Sequence, residues 1–100
     1  MRAAYGIDMA LTREEATARA RGDLAARLGV AESEIATESV ADADFPDANF
    51  GANMSGEVSA QMITPGWRIR LSANGNSYEY RANRNRLRLF NFKGANHRVV

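Results

Sequence analysis

The sequence predicts an α+β domain, one N-terminal helix packed on an antiparallel β-meander of four to five strands. Three observations carry that expectation. Residues 12–29 repeat apolar side chains at helical spacing between two recognisable caps. From about residue 58 the alternation of apolar and polar residues switches to period two. Within that stretch, Asn74-Gly75 is the strongest short-range hairpin signal, because a type I′ turn needs positive φ at both positions. A chain of 100 residues makes a single domain, 1–100, able to bury about 60–65% of its unfolded surface without staples.

The helix is expected over about 13–28. Thr12 as N-cap and Glu15 three residues on form a capping box, with Leu11 placed to staple onto Ala16. Ala16, Ala20, Leu24 and Leu28 recur every fourth residue and make a narrow stripe of mostly small side chains. Gly29 suits the left-handed position that ends a helix, and Val30 follows for the accompanying hydrophobic contact. Gly22 inside the helix costs about 1 kcal/mol against alanine, which suggests close approach of another element.

Residues 35–41 read as a strand and 42–57, "DADFPDANFGANMSGE", as a long loop. Strands follow at about 58–64, 67–72, 77–82 and 86–91. Closing the Asn74-Gly75 turn pairs Leu71 with Tyr78, Arg70 with Glu79, Ile69 with Tyr80, and Arg68 with Arg81. A turn at Arg84-Asn85 pairs Ala82 with Leu87, Arg81 with Arg88, Tyr80 with Leu89, and Glu79 with Phe90. A third turn at Pro65-Gly66 would pair Met62 with Ile69. These registers send Ala60, Met62, Trp67, Ile69, Leu71, Tyr78, Tyr80, Leu87 and Leu89 toward the helix. They set Ile63, Arg68, Arg81 and Arg88 in a row on the opposite, wet face. A helix held by a meander resembles the cystatin-like arrangement, a likeness of fold that transfers no activity. The tail "FKGANHRVV" is open to two readings, a further edge strand or a frayed end.

The segments "DLAARLGV", "PDANFG", "SGE", "TPGWRIRL" and "YEYRAN", between about Asp23 and Tyr80, resemble an uncharacterised bacterial family. Its pattern runs RLGV, PDxSLGC, TPGWRI and YEYR, and it has no assigned activity. The resemblance implies a fold and no function. Many members look exported, but Ala52 stands where that family commonly has cysteine, and Ser55 where it has proline. Neither a disulfide nor an envelope location is therefore carried over.

Charge is divided between the halves. Residues 1–50 hold five arginines against ten acids, and residues 51–100 hold eight cations against Glu57 and Glu79. The expected binding residues are Arg68, Arg70, Arg81, Arg84, Arg86 and Arg88, with Phe90 beside them. The tyrosines face the core, whereas a nucleic-acid surface wants aromatics exposed among its charges. With a formal net charge of only +1, steering toward a polyanion is weak. The first expectation is a non-enzymatic, inhibitor-like protein-interaction module using the arginine face and the 42–57 loop. Nucleic-acid or polyanion binding through the same arginines is the alternative, and an enzyme the weakest reading.

No cofactor motif appears, and the absence of cysteine excludes disulfides, zinc–thiolate sites and thiol nucleophiles. Asp42, Asp44 and Asp47 offer clustered oxygens to a hard cation, but Pro46 and the missing glycine spoil the EF-hand spacing. Asx-turns and caps are their commoner use. His97 is the single histidine, and nothing in the sequence nominates a nucleophile for it. Glu57 and Glu79 could pair as acid and base, although Glu79 is also placed as a cross-strand partner of Arg70. The chain shows neither a leader nor a membrane span, and it leaves compartment and oligomeric state open.

Overall fold

The computed structural model describes residues 10–100. Thr12 and Glu15 form the reciprocal capping box, each side chain accepting from the other's backbone N–H at 3.0 Å. Helix α1 then runs Arg13–Leu28 and ends at Gly29, left-handed at φ 69°. A 3-10 turn at Glu32–Glu34 leads into five strands: β1 Ala36–Phe45, β2 Thr64–Ala73, β3 Asn76–Ala82, β4 Leu87–Phe92 and β5 Ala95–Arg98. They form one antiparallel sheet in the order β1-β2-β3-β4-β5. The tail is therefore an edge strand.

Both predicted registers around β3 hold. Arg68 faces Arg81 and Ile69 faces Tyr80 across β2 and β3, while Arg81 faces Arg88 and Tyr80 faces Leu89 across β3 and β4. Asn74 and Gly75 have φ of 54° and 80°, the two positive values that a type I′ turn demands. One sheet face buries Ile69, Leu71, Tyr80, Ala82, Leu87 and Leu89 against Ala16, Ala20, Leu24 and Ala25 of α1. The small side chains let the helix backbone lie close to the sheet. Tyr80 fixes its orientation, since its hydroxyl donates to Asp23 Oδ2 at 2.7 Å across that interface. Trp67 and Tyr78 lie at the margins of this core, half-buried rather than fully enclosed.

The first junction of the sheet differs from expectation. There is no strand at 58–64 and no turn at Pro65-Gly66; both residues lie inside β2, opposite Asp44 and Ala43 of β1. The outer edge of β2 is taken by β1, so "VSAQMI" has no strand to pair with. Met62, expected in the core, is exposed, and so is Ala60. β1 also runs four residues past its predicted end at 41. As an edge strand with little packed against either side, it tolerates Asp42 and Asp44, the residues that read as loop. The required glycine is Gly66, where a Cβ would collide with the Ala82 carbonyl oxygen. Gly22 is no close approach, because a Cβ there would stand 3.5 Å from the Glu32 carboxylate, an ordinary contact.

Candidate interaction site

β1 and β2 are joined by residues 46–63, which fold across the sheet face opposite the helix. That face carries one rung of four arginines in register, Arg68, Arg81, Arg88 and Arg98. Like charges directly opposite each other destabilise a sheet by a few tenths to about 1 kcal/mol per pair. Here the repulsion is met within the molecule. Glu79, from the neighbouring rung, binds Arg81 at 2.7 Å, Arg68 at 3.1 Å and Arg70 at 3.4 Å. Glu57, from the loop, takes Arg88 in a fork at 2.6 and 2.9 Å and Arg98 at 2.9 Å. Phe90 lies beneath Arg81, whose guanidinium carbon is 3.6 Å from the ring centroid. Phe45 receives Arg68 and Arg81 at 5.6 and 5.5 Å.

The same guanidiniums strap the loop. Arg81 donates to the Phe50 carbonyl at 2.8 Å, Arg86 to Ala48 at 3.0 Å and Arg88 to Ala52 at 3.2 Å. Asn96 of β5 donates to Asn53 at 2.7 Å. Loop carbonyls thus find cationic donors in place of strand partners, which satisfies acceptors that would otherwise be buried without a donor. Asp47 closes the loop from within. Its Oδ1 accepts from Asn49 N and Gly51 N at 2.9 and 3.0 Å, and its Oδ2 from Asn53 Nδ2 at 3.2 Å. The backbone N–H of Gly51 and its companions hold the Asp47 carboxyl below its ordinary pKa. Phe50 is buried against Phe45, ring centroids 5.2 Å apart, and adopts φ 62°, a left-handed value that a bulky residue rarely takes.

The open wet face expected for the arginines is therefore covered at its centre, while Arg70 and Arg98 stay exposed. Arg88 is buried, its side chain 5% exposed, and Arg81 is enclosed between the Phe90 ring, Glu79 and the loop. The cause is tertiary: a loop eighteen residues long by its numbering, 46–63, returns over the sheet and supplies acceptors. Arg68, Arg70, Arg81, Arg88 and Phe90 do share one face, and Arg86 reaches it from the end of the β3–β4 turn. Arg84 stands apart, exposed in that turn beside a groove lined by Asp42, Asp44 and Trp67. The three aspartates are not brought together. Asp42 and Asp44 sit on the helix side of β1, Asp42 3.4 Å from Arg13, whereas Asp47 is consumed by loop amides on the other side. Among the described residues no group of three potential metal ligands exists. His97 packs its ring edge-on against Phe92, centroids 5.9 Å apart.

Glu57 and Glu79, which the sequence offered as an acid–base pair, each hold arginines. The Arg88 hydrogen bond chiefly drives the Glu57 carboxyl down to about 2. Sequence reasoning missed Glu57 as the counter-ion of Arg88, and missed Asn49 and Arg98. Two signals marked the loop as folded: Phe45 just before it and Phe50 within it are large and apolar, and Asp47-x-Asn49 is an Asx-turn pattern.

The chain matches Domain of unknown function (DUF8738) over residues 17–90 and belongs to that family. No curated protein and no solved structure matches it. No described helix is long and apolar enough to cross a membrane.

Proposed function

We propose that this domain is a non-enzymatic protein-interaction module that presents its strapped loop to a partner, in the manner of an inhibitor. One observation carries the reading. Val58, Ile63 and Met62 are 97%, 72% and 58% exposed, and all three lie on one irregular six-residue segment. Large apolar side chains grouped in this way mark association sites on soluble domains. The base of the segment is held by Glu57 on Arg88 and Arg98. A loop ordered before it binds loses little conformational entropy on docking, and that gain goes into affinity. The left-handed Phe50 supports the same reading, since strained backbone gathers where a loop must keep one shape. Arg81 and Arg88 turn their donors into the loop, and this weakens the nucleic-acid alternative.

The test is a capture experiment from the source cell's lysate with nuclease present, comparing the wild-type domain with Val58→Asp/Ile63→Asp. Both positions are exposed, so the variant should keep its stability within about 0.5 kcal/mol per site. Loss of specifically captured proteins by the variant is the expected result. Identical capture by the two would refute the reading.

A further inference from the structure

We infer that the groove between the loop and the β4–β5 end of the sheet binds an oxyanion of the carboxylate or phosphate class. The inference goes beyond the loop-docking reading, because it rests on the arginines of the groove, of which Val58 forms one wall, and not on the exposed apolar side chains. The groove has a volume of about 530 Å³, within the size range of small-molecule sites. Arg86, Arg88 and Arg98 line it together with Asn49 and Glu57. Three guanidiniums thus meet one side-chain carboxylate, and that carboxylate is spoken for. Glu57 accepts from both Arg88 and Arg98, so that, counting side chains alone, the groove carries two more positive charges than negative.

Donor capacity is also in excess. Among the described residues the Arg86 guanidinium donates only through Nη1, and that of Arg98 only through Nη2. Each keeps an edge that can meet an oxyanion with two N–H groups, the geometry in which guanidinium binds carboxylate and phosphate best. Arg88 forms the floor of the groove. Its Nε is buried and has no hydrogen-bond partner in the protein, although both of its Nη groups are engaged. Arg88 is in turn held rigid by Glu57, Asn49 Oδ1 and the Ala52 carbonyl, so the cationic floor is already formed.

The experiment is a titration of the isolated, ¹⁵N-labelled domain at pH 7, read at the arginine Nε–H resonances. Its arms are inorganic phosphate, an end-capped tri-glutamate peptide, and sodium chloride at matched ionic strength. Saturable shifts of the Arg88 and Arg98 signals with phosphate or tri-glutamate, and none with chloride, are the expected result. Phosphate alone saturating would identify a free phosphate-type ligand, and tri-glutamate alone an acidic protein segment. Arg98→Gln and Arg86→Gln should each weaken binding by about tenfold, the factor that one charge-assisted hydrogen bond carries. Both side chains are exposed, that of Arg98 at 61%, so both variants should fold. Shifts that follow chloride equally, or an affinity unchanged in both variants, would overturn the site. Because no protein partner takes part, this outcome is separate from the result of the capture experiment.

Discussion

The two faces of the sheet are both covered, and by opposite chemistry. On one, α1 closes over Ile69, Leu71, Tyr80, Leu87 and Leu89 with small apolar side chains. On the other, an irregular loop closes over a rung of arginines through its carbonyls and Glu57, while Glu79 of β3 neutralises the same rung from within the sheet. Apolar cover is non-directional and roughly proportional to area, so it requires only that the right faces meet. Charge-assisted cover is directional: each guanidinium specifies which carbonyl sits where. A regular element can be glued by the first kind, whereas a loop that must keep one irregular shape needs the second. The arginine face is thus a mould for the loop, which buries Phe50 and Ala52 and leaves Val58, Met62 and Ile63 outward.

That comparison can be broken from either side. Tyr80→Ala removes a fully buried ring and the link to Asp23, and should cost about 3–5 kcal/mol in denaturant unfolding of the whole domain. A loss below about 1 kcal/mol would mean that the helix face is not the core. Arg88→Met should cost about 3 kcal/mol, because Glu57 loses its buried partner. Here the damage should be local, seen as faster amide exchange at residues 49–57 while α1 keeps its protection. Uniform deprotection of both faces would show that the loop is part of the common core.

pH separates the faces next. The folded-state pKa of Glu57 is depressed from 4.5 to about 2, so its contribution is present above pH 4.5 and is lost as pH falls toward 2. Asp47 is shifted in the same direction, and acid should release the loop first. Tyr80 behaves oppositely: burial and then Asp23 raise its pKa above the ordinary 10.0. Its contribution is therefore present below pH 10 and is lost above it, as the unfolded chain's tyrosine ionises. Amide exchange followed at pH 3 and at pH 10.5 checks both signs, and loosening of the helix face first in acid would reverse the assignment. The smallest effect tests the register that both faces share. Gly75→Val meets open space but forces φ 80° on a β-branched residue, so it should cost about 1–3 kcal/mol of global stability. Indifference to that change would undermine the hairpin from which the arginine rung follows.

Local chemistry wrote much of this fold into the sequence. The capping box of Thr12 and Glu15 and the stop at Gly29 set α1, and the turns at Asn74-Gly75 and Arg84-Asn85 set the β2–β3–β4 registers, each acting over a few residues. With those registers came the alignment of Arg68, Arg81 and Arg88, because a period-two strand places its side chains once one pair is known. What surrounds that row was decided only by tertiary structure. "VSAQMI" alternates well enough to be a strand, and "DADF" looks like a loop, yet β1 claims the edge of β2 and leaves residues 58–63 outside. Edge pairing is a competition between distant segments, to which local pattern is nearly blind. The partners of the arginines were hidden for the same reason. Arg88 and Glu57 are 31 positions apart, and only the return of the loop across the sheet makes one the counter-ion of the other.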